Sequence, residues 1–166
     1  RDRIFNLIFF KAHKFHGDSK NYHSPVNSYI NTVLESKKGN PLSICLLYSI
    51  IAQSLDLPIY GVNLPNHFVL AYIDTRGSGA LINEENEFGV LCYINAFSNG
   101  VIFNTNEIKQ FLDELKLPHR REYFEPCSNS AIIKRMLNNL ISSFQRVGNS
   151  EKVEELTLLR NIIQGN

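Results

Sequence analysis

GNPLSICLLYSIIAQSLDLPIYGVNLPNHFVL, residues 39–70, is the stretch on which the fold turns. Gly39 breaks whatever helix precedes it. Asn40 is a good N-cap, and Pro41 suits the first helical position because it has no N–H to leave unbonded and its φ is already helical. Residues 41–55 are apolar on most sides, which predicts a central, buried helix rather than a surface one. Pro58 stops it. Ile59–Leu64 and His67–Ile73 are rich in β-branched and aromatic residues and predict two strands. The stretch therefore reads helix, turn, strand, strand, with His67 opening the second strand.

Upstream, residues 1–14 read as the end of a helix, with Ile4, Leu7, Ile8 and Lys11 at helical spacing. Residues 15–25 are polar and read as a loop. Residues 28–36, with Tyr29, Ile30, Val33 and Leu34, predict a short amphipathic helix. Downstream, the Gly- and Glu-rich residues 74–89 predict an exposed loop. Val90–Asn95 and Val101–Phe103 are further strands around a turn at Ser98-Asn99-Gly100. Asn104 followed by Glu107 signals a capped helix to about Leu117. Residues 128–146 and 150–163 predict two helices around Gly148-Asn149, a helical hairpin. The fold class is α+β, mainly antiparallel strands packed on one central helix. A domain over residues 1–126 is expected, followed by the hairpin over 127–166.

The 166 residues suffice for one domain with a real core. A formal net charge of +1 gives no electrostatic case for nucleic acid or an anionic membrane. No apolar run approaches the ~20 residues that span a bilayer. Without a signal-peptide pattern or an initiator Met, Arg1 is expected to be an internal start point. Cys45, Cys92 and Cys127 are scattered and odd in number, which argues against a disulfide framework and for a reducing, cytoplasmic setting. No Cys or His pair has zinc-site spacing, and no metal or other cofactor is expected.

Several runs, taken in order, resemble the SirB branch of the transglutaminase-like superfamily. Asn27-Ser28-Tyr29-Ile30-Asn31-Thr32-Val33-Leu34-Glu35 is similar to its N-S-Y-L-N-x-V-L-E. Gly39-Asn40-Pro41-Leu42-Ser43 is similar to G-I-P-[IV]-[ST]. Leu57-Pro58-Ile59-Tyr60-Gly61-Val62 followed by Leu64-Pro65-Asn66-His67-Phe68 resembles L-P-x-x-G-V-x-x-P-G-H-F. Tyr93-Ile94-Asn95-Ala96-Phe97-Ser98-Asn99-Gly100 resembles F-I-D-P-F-x-x-G. Arg135-Met136-Leu137-Asn138-Asn139-Leu140 resembles the R-L-L-x-N-L segment opening that branch's tetratricopeptide-like helices. The resemblance implies a transglutaminase-like, papain-like core, in which a cysteine at the helix start faces a histidine on a strand.

Such chemistry needs a thiolate, an imidazole to take its proton and a third group to orient the imidazole. The resemblance puts the nucleophile position at Pro41, which offers no nucleophile; the SirB branch shares this. Cys45 lies on the same helix face, about 40° around but roughly 6 Å deeper. It reads either as core packing or as a displaced reactive thiol. Ser43 lies about 160° away from Pro41, and its simplest role is to bond the free amides of the first turn. His67 is the best functional candidate, against a histidine merely held under a loop. Asn95 stands where the branch has Asp: it can accept a bond from an imidazole N–H but cannot stabilise an imidazolium by charge. Asn66 replaces the branch's usual glycine, so a slightly different backbone is expected there.

The expected cleft comprises Tyr29, Asn40, Pro41, Asn66, His67 and Asn95. Tyr29 can equally fill the core, and Asn27 can simply cap the 28–36 helix. His13, His16 and His23 fit a polar loop, and His119 beside Arg120 and Arg121 a solvated basic patch. Three functions remain open. The first is a non-catalytic module that binds protein or peptide. The second is a cysteine peptidase or acyl transferase using Cys45, His67 and Asn95. The third is a scaffold with no cleft function.

Overall fold

The computed structural model of the chain describes residues 2–75 and 88–164. Most of the expected 74–89 loop lies outside the described residues. The elements run α1 (Asp2–Asn6), a π-helical turn (Leu7–Ala12), β1 (His16–Gly17), a 3-10 turn (Pro25–Ser28), α2 (Ile30–Ser36), β2 (Lys38–Gly39) and α3 (Pro41–Ser54). Then come β3 (Ile59–Leu64), β4 (His67–Ile73), β5 (Val90–Asn95), β6 (Val101–Phe103), α4 (Thr105–Glu114), α5 (Asn129–Arg146) and α6 (Ser150–Gln164). The fold is α+β.

Strands β3-β4-β5-β6 form one antiparallel sheet in chain order. Successive side chains leave a strand on opposite faces, so the sheet divides the core in two. On one face Ile59, Phe68, Leu70 and Ile94 pack with Ile44, Cys45, Tyr48 and Ala52 of α3. On the other, Val62, Leu64, Val69, Ala71 and Tyr93 pack with Ile108 and Leu112 of α4 and with Phe124. Helix α3 is apolar all round because the sheet, α2 and the N-terminal segment enclose it. Gly61 is small for a reason: a Cβ there would sit 2.6 Å from Phe68 Cζ.

Three expectations need correction here. Ile4, Leu7 and Ile8 are exposed, and Phe5, Phe9 and Phe10 are buried instead. The segment winds as a π-helix from Leu7, with His13 N–H bonded to the Ile8 carbonyl at 2.9 Å. Phe5 and Phe9, four residues apart, also share a helical face, and that aromatic face is the buried one. The aromatic side chains close around Tyr48, with Phe9 stacked on Phe15 at 4.5 Å. The presumed loop after them contains β1, paired in parallel with β2. Finally, α2 begins at Ile30, and Asn27 does not cap it. Buried Asn27 donates to the Asn21 carbonyl at 2.7 Å, tying the 18–21 loop to the start of α3.

Helix α5 starts from a Ser128 cap and lies against β3 and the Pro25–Ser28 turn. It buries Leu137, Leu140 and Ile141. Helix α6 packs on α5 after a turn at Gly148, yet its Leu158 and Ile162 remain 66% exposed, so the hairpin keeps an open apolar surface.

Candidate functional site

The site forms where three segments meet. The β3–β4 hairpin turns in two residues, Pro65 and Asn66, and His67 follows directly. Asn66 has φ +56°, the left-handed region that glycine occupies freely and asparagine tolerates. The glycine-type backbone is therefore kept, contrary to the expected change. The Asn40-Pro41 start of α3 lies beside this turn, and α5 closes the third side. Between them is a cavity of about 310 Å³, lined by Asn40, Pro41, Asn66 and His67 and, from α5, by Arg135 and Asn139. Tyr22 and His23 also line it, with Leu42, Phe68, Ser142 and Ser143.

At the helix start the Asn40 and Ser43 side chains are fully engaged. Asn40 Oδ1 accepts from Ser43 N–H at 2.9 Å, and Asn40 Nδ2 donates to Ser28 Oγ at 2.8 Å. Ser43 Oγ accepts from Asn40 N–H at 3.0 Å and donates to the Asn27 carbonyl at 2.6 Å. This reciprocal cap consumes Ser43. Pro41 supplies only an apolar wall.

Cys45 is fully buried, and its Sγ donates to the Phe68 carbonyl at 3.4 Å. Burial pushes its thiol up to about 12, so it stays protonated at neutral pH. His67 is half-buried, and its nearest ring is Phe111 of α4 at 6.1 Å. Among the described residues its imidazole has no hydrogen-bond partner. Burial, and secondarily the charge of Arg135, lowers its pKa from the usual imidazole value.

Asn95 ends β5, on the same sheet face as His67. Both line a second, mostly apolar cavity of about 370 Å³, with Leu64, Val69, Ile108 and Phe111. No hydrogen bond joins them: Asn95 Oδ1 accepts from Ser98 N–H at 3.1 Å and caps the following turn. His67 thus stands between two cavities, one polar and one apolar.

The expected cleft residues divide accordingly. Asn40, Pro41, Asn66 and His67 share the polar cavity, and Asn95 joins His67 in the apolar one. Tyr29 lines neither cavity and is not core. It is 39% exposed and precedes α2, because Val33 fills the buried position of that short helix. His16 bonds the Lys14 carbonyl, and among the described residues no group of three His, Cys, Asp or Glu could hold a metal ion. The presumed basic patch is neutralised: His119, Arg120 and Arg121 pair with Asp113, Glu122 and Glu125.

Sequence reading missed Arg135 as a wall of the cleft. The signal was present, because Arg135 shares a helical face with Ile132, Met136, Asn139 and Ser143, where a charge interrupts an inward-facing stripe. Tyr22 and His23 carried no such signal, since a loop's landing place depends on distant contacts.

A profile of the transglutaminase-like superfamily matches residues 2–138, and the chain belongs to that superfamily. Human F-box only protein 21 is 28% identical over 144 residues, covering 86% of this chain and 22% of the relative. A UPF0162 protein of Vibrio cholerae is 28% identical over 149 residues, covering 88% of this chain and 50% of the relative. One from Haemophilus influenzae is 29% identical over 141 residues, covering 80% and 50%. The chain thus spans half or less of these relatives. No solved structure gives a significant match.

Proposed function

We propose that the chain is a non-catalytic transglutaminase-like module of the SirB type, which binds protein or peptide in the cleft around His67 and serves a scaffold or regulatory role. The observation that carries this reading is the state of the two nucleophile candidates. Pro41 occupies the helix start and has no reactive group. Cys45, one turn deeper, is sealed in the core, protonated and bonded to the Phe68 carbonyl. Proton transfer needs a base within about 3 Å of the thiol, or one water away. His67 leaves the opposite face of the strand that Cys45 bonds to, and Asn95 is occupied as a turn cap. Scattered cysteines that form no disulfide favour a cytoplasmic setting. The match to under a quarter of the human relative fits a module carried within longer chains.

The cleft itself remains usable. It is open, polar on one side of His67 and apolar on the other, as peptide recognition requires. The test is hydrolysis and amine transfer on a broad peptide panel, wild type against Cys45→Ala. Neither protein is expected to turn over. Activity in the wild type that disappears in the variant would overturn the reading and establish a cysteine peptidase or acyl transferase using Cys45, His67 and Asn95.

A further inference from the structure

The polar cavity holds one permanent cation and no acid. Arg135 reaches in from α5, half-buried, and its Nη1 donates to Asn63 Oδ1 at 2.8 Å and to the Leu64 carbonyl at 3.1 Å. Both acceptors are neutral. Arg120 and Arg121 pair with carboxylates, but Arg135 has no acidic partner among the described residues. Its Nε and Nη2 donors make no hydrogen bond there either. The other polar groups of the wall are neutral amides, hydroxyls and imidazoles, among them Asn40, Asn139, Ser142, His23 and His67, and Pro41, Leu42 and Phe68 add apolar surface.

A guanidinium drawn partly out of water without a counter-charge is costly unless something answers it. Here the side chain is already fixed through Nη1, so little freedom remains to be lost on binding. The unused Nε–H and Nη2–H lie side by side on one edge of the guanidinium, the fork that accepts a carboxylate through two parallel bonds. The single permanent charge matches a monoanion better than a phosphate dianion. Past His67 lies the apolar cavity of Leu64, Val69, Ile108 and Phe111. It suits an aliphatic side chain carried on the same residue as the carboxylate.

We infer that the cleft receives the C-terminal carboxylate of a peptide ending in an apolar residue, with the carboxylate on the Nε/Nη2 edge of Arg135 and the side chain beyond His67. This rests on the peptide-binding reading above and names its ligand.

N-acetylleucine is a sufficient probe, with N-acetylleucinamide as its neutral control and inorganic phosphate as the rival anion. Titrated into the whole chain at neutral pH, N-acetylleucine is expected to shift the backbone amide signals of Asn66, His67 and Asn139 saturably. The amide should bind at least about tenfold more weakly. Arg135→Gln should abolish the preference for the acid. Because Arg135 also ties α5 to the hairpin, Asn139→Asp gives a second arm: it puts a carboxylate in the wall without touching those bonds, and should abolish the preference too. Equal binding of acid and amide overturns the carboxylate assignment and leaves peptide binding standing. Tighter binding of phosphate than of N-acetylleucine overturns it as well. Binding of neither leucine derivative removes both readings.

Discussion

The thiol of Cys45 is bonded to the carbonyl of Phe68, the residue next to His67, yet Phe68 and His67 leave β4 on opposite faces. A sheet one residue thick stands between the sulfur and the open side of the imidazole. Cys92 and Cys127 form no disulfide and are only half-buried. A small thiol reagent at neutral pH should therefore modify those two first. Cys45 should react only at the rate of global unfolding, because it is both enclosed and protonated. Mass mapping of the labelled peptides checks the order, and early labelling of Cys45 would contradict its burial.

His67 should make folding sensitive to mild acid. Its folded pKa lies below the ordinary 6.5, mainly through burial and secondarily through Arg135. Between the two values the unfolded chain binds more protons. The stability is therefore complete above the unfolded value and is lost as pH falls through the folded one. Denaturant unfolding followed downward from neutrality should show a steeper loss in wild type than in His67→Gln. Identical pH profiles would mean that His67 titrates normally.

Ser43→Ala should destabilise the fold by about 0.5–1.5 kcal/mol, because it removes the hydroxyl's bonds to the Asn40 N–H and the Asn27 carbonyl, which keep only their longer bond to each other at 3.3 Å. Urea unfolding with an unchanged m-value is the measurement. A change inside the error of the wild type would show that water replaces the hydroxyl.

Position 66 should discriminate by backbone rather than by side chain. Asn66 is exposed and left-handed. Asn66→Gly should stay within about 0.5 kcal/mol of wild type. Asn66→Val should cost about 1–2 kcal/mol, because a β-branched residue clashes in that region. Thermal unfolding of the two variants should separate them, and equal stability would refute the argument.

Much of this architecture is readable from local chemistry. Asn40 and Pro41 mark the start of α3, and Pro58 and the Pro65-Asn66 pair punctuate the two strands that follow. Asn104 with Glu107 announces the capping box of α4, which forms with bonds of 2.8 and 3.1 Å. Reading fails where the outcome depends on distant partners. The N-terminal segment offers two apolar faces, and packing against Tyr48 buries Phe5 and Phe9 rather than Ile4 and Leu7. The cleft brings Arg135 beside His67 across about seventy residues of chain, a meeting that no local pattern records. Pro41 and His67 were legible as neighbours only through the family resemblance.

Helix α5 belongs to two structures at once: it is the partner of α6 and one wall of the cleft. A truncation after residue 126, the expected end of the first domain, would cut away one wall of the cleft. It would remove Arg135, Asn139, Ser142 and Ser143 together. Any excised fragment meant to retain ligand must run through Arg146, and the α6 face of α5 must then be covered or made polar.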